Sequence, residues 1–176
     1  MLHPFVFVDR DGVINRMRTD YVRRWEEFEI LPGALDAIAR VSRSGREVIV
    51  LTNQSAISRE LVSRDVVDQI HDRLAKLVAA RGGRIRAFLV CPHGPDDGCD
   101  CRKPLPGLFF RARDELGIDL AEAVMIGDQT SDLQAANAAG CDAILVDAAA
   151  VGAGNLENGF ARVKNLVEAA QLICGS

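Results

Sequence analysis

Several acidic residues of this sequence stand in close pairs, and most of its cysteines stand in one knot. Asp9-Arg10-Asp11-Gly12-Val13 puts two carboxylates two residues apart, directly after the apolar run Phe5 to Val8. Such a pair can hold a hard cation through oxygen ligands, or one carboxylate can attack phosphorus while the other moves protons. Taken alone, a polar Asp/Gly turn explains the segment equally well. Thr52-Asn53-Gln54-Ser55 offers short hydrogen-bonding groups to phosphate oxygens, with a turn or helix cap as the plainer account. Gly127-Asp128-Gln129-Thr130-Ser131-Asp132 can hold a cation or cap the helix after it. Lys103-Pro104, singly, reads as a solvated charge.

The knot is Cys91-Pro92-His93, a spacer of five residues, then Cys99-Asp100-Cys101. Cys91, His93, Cys99 and Cys101 supply a full tetrahedral zinc set with no open position, the donor set of a structural site. The alternative is a loop with incidental thiols, and the density of ligands weighs against it. Arg102 and Lys103 follow at once, so a knot here fixes the loop presenting two cations. Cys141 and Cys174 lie in or beside apolar segments and read as plain thiols. His71, flanked by an apolar helix face, reads as a packing or surface histidine. Trp25, near Phe28 and Ile30, reads as an anchor for the loop after the first strand.

These segments need a frame, and the hydrophobic pattern supplies one. Short apolar runs at Phe5–Val8, Val48–Leu51, Ile85–Val90, Val124–Ile126 and Ala143–Val146 read as strands buried on both faces. Between them lie helical patterns. Leu35, Ile38 and Val41 share one face before Gly45; Val67, Ile70, Leu74 and Leu77 share another after the cap Ser63 and before Gly82. Pro106 opens a helix ending near Gly117, Leu133 to Ala139 form another before Gly140, and Val163 to Ile173 read as amphipathic helix. The alternation predicts an α/β fold: one doubly wound, Rossmann-like parallel sheet with helices on both faces, in a single domain over 1–176 without a separate cap. Ligands of such sheets bind beyond the carboxyl ends of the strands, where the polar segments fall.

Composition narrows the classes further. The 176 residues are 48% hydrophobic and 26% charged, which excludes a disordered chain, and no apolar run is long enough to span a bilayer. A net charge of −4 and 5% aromatic residues argue against a nucleic-acid surface. Five cysteines with a local cluster, and an N-terminus without secretory-signal features, predict a cytoplasmic protein without a membrane partner.

Each plain alternative accounts for one segment, and none accounts for all of them in this order. In DRDGV, LTNQ, RKP and GDQTSD the sequence resembles the haloacid dehalogenase-like superfamily, over nearly the whole chain. The resemblance implies a strand order of roughly 3-2-1-4-5 and phosphate transfer through an aspartyl-phosphate. Asp9 would be the nucleophile and Asp11 the acid and base. Mg²⁺ would be held by the Asp9 carboxylate, the Asp11 carbonyl and Asp128. Thr52, Asn53, Arg102 and Lys103 would bind substrate phosphate, with Asp132 steadying the metal or the lysine. A zinc knot before RKP is found in the D-glycero-D-manno-heptose 1,7-bisphosphate 7-phosphatases and the histidinol-phosphate phosphatases. YV at Tyr21, FEILPG at Phe28 to Gly33, ALDAI at Ala34 to Ile38 and TNQS look more like the heptose family, although Arg16 to Asp20 depart from its pattern. The expectation is a monomeric Mg²⁺-dependent phosphatase with a structural Zn²⁺, acting on a small sugar phosphate. A polynucleotide 3′-phosphatase shares the four motifs but fits the acidic charge less well, and a non-catalytic scaffold would normally have lost Asp9 or Lys103.

Overall fold

The structure, a computed structural model, describes residues 3–150 and 159–175. Six strands form one parallel sheet: β1 (Phe5–Val8), β2 (Glu47–Asn53), β3 (Ala87–Cys91), β4 (Ala123–Gly127), β5 (Asp142–Val146) and β6 (Phe160–Val163), in the order β3-β2-β1-β4-β5-β6. The apolar runs form the middle of the sheet because helices cover both of its faces. Alternate side chains of each strand therefore enter two different cores.

On one face Val6, Val8, Val48, Val50, Val124 and Ile126 pack against α1 (Ala34–Arg43), α2 (Arg64–Ala79) and α5 (Leu166–Cys174). On the other, Phe7, Ile49, Leu51 and Met125 pack against α3 (Gly107–Leu116) and α4 (Thr130–Ala139). Phe7 and Phe109 meet edge to face there, with ring centroids 5.1 Å apart. The helix ends follow local chemistry. Ser63 accepts a hydrogen bond from Val66 N at 3.3 Å, Asn165 accepts one from Glu168 N at 3.0 Å, and Gly117 and Gly140 turn left-handed to end α3 and α4.

The strand order implied by the sequence resemblance is observed, with a sixth strand added. Phe160 to Val163 alternate exposed and buried, the pattern of an edge strand, and pair with β5. The segment expected to be helical from Val163 therefore starts as strand, and the helix begins at Leu166. Val78 is buried on the face of α2 with Val67, Ile70 and Leu74, and Leu77 is partly buried against the same core. Between β1 and α1 the chain makes a short 3-10 turn, Trp25–Glu27, where Trp25 stacks on Phe28 at 5.3 Å; Trp25 anchors this loop as expected.

Register places the chemistry. Val8 is level with Val50 and Ile126, so β1, β2 and β4 all lead into polar residues at the same edge of the sheet. Asp9 N still donates to Ile126 O at 2.9 Å, which fixes the residue after β1 against β4.

Candidate active site

A cleft of about 360 Å³ opens at this edge, lined by Asp9, Asp11, Arg18, Asn53, Arg102, Lys103 and Asp132 among others. Its floor is an ion-paired cluster. Lys103 Nζ donates to Asp9 Oδ1 at 2.8 Å and to Leu51 O at 2.9 Å, and lies 2.6 Å from Asp132 Oδ1. Lys103 is therefore buried, not the solvated charge that it resembles in isolation. An ammonium has three protons, and all three are used.

The backbone explains this placement. Asp132 Oδ2 accepts from Gln129 N at 3.0 Å at the start of α4, which holds the carboxylate at a helix N-terminus. A Cβ on Gly127 would lie 2.3 Å from Asp132 Cβ, so only glycine allows β4 to end against that side chain. Asn53 uses both ends of its amide on the Lys103 main chain: Nδ2 donates to Lys103 O at 3.1 Å, and Oδ1 accepts from Lys103 N at 3.2 Å. The TNQ segment thereby holds the RKP segment in place. Thr52 is fully buried beneath the cleft, and its Oγ1 accepts from Gln54 Nε2 at 2.8 Å.

Electrostatics divide the two carboxylates of the first motif. Burial pushes Asp9 up to about 7, against the pull of Lys103. Burial also acts to raise Asp11, but the Arg10 guanidinium and hydrogen bonds from Asn15, Arg10 and Gln54 outweigh it and hold Asp11 below the usual carboxylate range. Burial raises Asp128 as well. Burial alone would lower Lys103, yet Asp9 and Asp132 reverse the effect and raise it.

Two donor sets fit metal ions. One oxygen each of Asp9, Asp128 and Asp132 lies within 4.8 Å of the others. Asp128 Oδ1 is buried without a hydrogen-bond partner, as expected of an oxygen reserved for a cation. A Cβ on Gly12, at φ +89°, would lie 2.1 Å from Asp128 Oδ2, so the DRDG turn keeps this approach open. In the second set, Cys91 Sγ is 3.8 Å from Cys99 Sγ and 3.7 Å from His93 Nδ1, and Cys101 Sγ is 3.3 Å from His93 Nδ1. Tetrahedral ligands at zinc–sulfur distances of about 2.3 Å would be spaced by about 3.8 Å, which matches the pair of sulfurs. Burial pushes the Cys91 and Cys101 thiols up, so without a cation they remain protonated.

Most of the sequence-predicted residues gather in two neighbouring groups, joined by Arg102, which lines the cleft and donates to His93 O at 3.1 Å, whereas Thr52 is fully buried and does not line the cleft. Three further residues of the cleft were not among the expected site residues, although Tyr21 and the Arg16 to Asp20 segment entered the family resemblance. Arg10 is buried beneath Asp11, and Arg18 and Tyr21 line the mouth, with Tyr21 at φ +66°. For Arg10 the cue was available: an arginine between two aspartates at a buried strand end must find internal partners.

A parallel sheet whose central strand ends in Asp-x-Asp, met by a buried lysine and further carboxylates from its neighbours, defines a haloacid dehalogenase-like hydrolase. Residues 100–169 match the family model described as HAD-hydrolase-like. The D-glycero-β-D-manno-heptose-1,7-bisphosphate 7-phosphatase of Pseudomonas aeruginosa is 44% identical over 146 residues, covering 83% of this chain and 82% of that protein. The enzyme of the same name from Vibrio cholerae is 40% identical, covering 80% and 78%. The crystal structure of D,D-heptose 1,7-bisphosphate phosphatase from B. bronchiseptica, complexed with magnesium and phosphate, superposes with a TM-score of 0.86 at 38% identity, covering 97% of both chains. The chain belongs to the D,D-heptose 1,7-bisphosphate phosphatase family of the HAD-like hydrolases.

Proposed function

We propose that this protein removes the 7-phosphate of D-glycero-D-manno-heptose 1,7-bisphosphate through a phosphoenzyme on Asp9. The observation that carries the reading is the buried cluster of Asp9, Lys103 and Asp132 on the cleft floor, in a chain so similar to enzymes of that name.

Asp9 would attack phosphorus in line with the sugar oxygen, forming an acyl phosphate as the bond from phosphorus to that oxygen breaks. Arg10 and the hydrogen bonds to Asp11 favour its ionised form, so to serve as the acid it would first take up a proton, which it would then give to the departing alkoxide. As carboxylate it would then take a proton from water, whose oxygen displaces phosphate from Asp9 and regenerates both residues. Lys103 would neutralise charge on the transferring group, and Thr52 would steady a phosphate oxygen through its hydroxyl. We assign Asn53 to holding the Lys103 segment and Arg102 to the second phosphate.

Asp9, the Asp11 carbonyl and Asp128 are the residues that would hold Mg²⁺, which when bound would offset the repulsion between an anionic nucleophile and an anionic phosphate. Cys91, His93, Cys99 and Cys101 would hold Zn²⁺ as a brace for the loop carrying Arg102 and Lys103. We also take the chain as one domain over 1–176, a monomer in the cytoplasm. All five cysteines are free, which suits a reducing compartment, and among the described residues no helix is long and apolar enough to cross a membrane.

The test is turnover with Mg²⁺ of heptose 1,7-bisphosphate, histidinol phosphate and a 3′-phosphorylated oligonucleotide. The heptose bisphosphate is expected to give the highest kcat/KM, and Asp9→Asn to abolish it. A preference for either competitor would overturn the substrate assignment.

A further inference from the structure

Arg10 is the largest side chain among the fully buried ones described, at 1% exposure. A guanidinium placed there needs partners, because an unpaired buried charge is costly. Its NH2 donates to Asp11 Oδ1 and to Gln54 Oε1, each at 3.0 Å. Its Cζ lies 5.5 Å from the centre of the Phe28 ring. Its NH1 faces His71 Nε2 at 3.3 Å. Arginine has only donors, so His71 Nε2 must be the acceptor, with the ring proton on Nδ1. The imidazole is itself fixed, stacked on Phe88 with centroids 4.4 Å apart and planes 8° apart.

The same set reaches both oxygens of Asp11. Oδ1 accepts from Arg10 and, at 2.9 Å, from Asn15 Nδ2; Oδ2 accepts from Gln54 Nε2 at 2.7 Å. Gln54 is held in turn by Arg10, so a single guanidinium controls the plane of the Asp11 carboxyl from both sides. Lys103, by contrast, reaches Asp9 and Asp132 and none of this group. Each carboxylate of the first motif thus has its own buried cation.

We propose that Arg10, held from behind by His71 and Gln54, is the positioning residue for Asp11: it sets the direction in which Asp11 passes its proton and does not bind the reacting phosphate. The proposal rests on the reading of Asp11 as acid and base. Lysine cannot replace this arginine, because it lacks the planar fork that spans Asp11, Gln54 and His71 at once.

The test compares Arg10→Lys, His71→Leu, His71→Gln and Asp11→Asn on heptose 1,7-bisphosphate, which loses a poor leaving group, and nitrophenyl phosphate, which loses a good one. Inhibition by inorganic phosphate is measured in parallel. Arg10→Lys and His71→Leu are expected to lower kcat/KM roughly 10- to 100-fold on the sugar phosphate, the scale of a misdirected reacting group, and only a few-fold on nitrophenyl phosphate. The phosphate inhibition constant should change far less than kcat/KM on the sugar phosphate, since Lys103 keeps its own contacts to Asp9 and Asp132. His71→Gln, which restores an acceptor at the Nε2 position, should recover most of the loss. Equal losses on both esters, or phosphate inhibition weakened to the same degree, would overturn the proposal while Asp11→Asn kept its dependence on the leaving group. If Asp11→Asn itself shows no such dependence, the acid–base reading fails and the proposal falls with it. Should Arg10→Lys not fold, the two His71 variants decide the matter alone.

Discussion

Lys103 Nζ and Asp132 Oδ1 lie 2.6 Å apart, and each side chain is 2% exposed. Asp9 stands on the other side of the same ammonium at 2.8 Å, so one buried cation serves two buried carboxylates. Removing the cation would leave both anions without compensation, a change that typically costs about 3–5 kcal/mol.

Lys103→Met should therefore destabilise the metal-free protein by about that amount at pH 8. Burial already raises Asp9 to about 7 with the ammonium present, and without it this carboxyl is raised further above its unfolded value. Stability carried by a raised carboxyl is present at low pH and lost as pH rises. The variant should thus recover part of its deficit between pH 8 and pH 6. Melting in chelator at both pH values checks this; an equal deficit at the two would mean that water or rearrangement already screens the carboxylates.

Cys99→Ser tests the knot. Freshly prepared protein should carry about one zinc per chain, and the variant should lose it. Arg102 donates to the carbonyl of His93, a member of the knot, so the loop should loosen and turnover fall. Affinity for Mg²⁺ should change far less, since Asp9 and Asp128 follow β1 and β4. Metal analysis that finds no zinc in reduced wild-type protein would remove this assignment.

The parts legible in the sequence were those with a periodic or compositional signature. Five strands were visible as apolar runs because both faces of the sheet are covered. Phe160 to Val163 escaped because an edge strand with one exposed face offers only four alternating residues, which merged with the amphipathic pattern after Val163. At the site, the donor types and their order were legible from DRDGV, LTNQ, RKP and GDQTSD. Their partners were not. That Asn53 would spend its whole amide on the Lys103 main chain, or that His71 would back Arg10, depends on packing between β2, α2 and the RKP segment, which no local pattern encodes.

Mg²⁺ binding should depend on pH through Asp9. Burial raises this carboxyl to about 7 in the metal-free protein, and a proton there competes with the cation. Below pH 7 the apparent affinity should fall by up to about tenfold per pH unit; well above 7 it should level off. A Mg²⁺ titration of Trp25 fluorescence, or of turnover, from pH 5.5 to 8.5 checks this. An affinity that stays flat down to pH 5.5 would mean that Asp9 is already ionised across the range.

His71 should make the fold sensitive to acid. Burial, helped by the Arg10 charge, lowers its pKa from 6.5 to about 3. Between these values the unfolded chain binds a proton that the folded chain refuses, so stability rises with pH through the window and is lost as pH falls from 6.5. The slope from this group is at most about 1.4 kcal/mol per pH unit. His71→Gln has nothing to titrate there, and its melting temperature should fall less than that of wild type between pH 6.5 and 5. Parallel curves for the two proteins would show that His71 is not the group responsible.

Arg102 bears on substrate choice. A bisphosphate needs a second cation besides Lys103, which on the proposed mechanism neutralises the reacting phosphate, and Arg102 lines the same cleft. Surface pairing with Asp97 or Asp100 would have tied it up, but its side-chain bond among the described residues goes to the His93 carbonyl. That leaves donors of a planar fork able to take a phosphate in bidentate fashion. Binding energy from the remote phosphate can align the reacting one, so its loss should lower kcat as well as raise KM. Arg102→Ala should reduce kcat/KM for heptose 1,7-bisphosphate by roughly 10- to 200-fold, the scale of a lost charge-assisted contact worth about 1.5–3 kcal/mol. A monophosphate of the same sugar should suffer far less, and Arg102→Lys should restore only part of the loss. Equal losses on both substrates would assign Arg102 to loop structure or to the reacting phosphate, and the bisphosphate would lose its second cation.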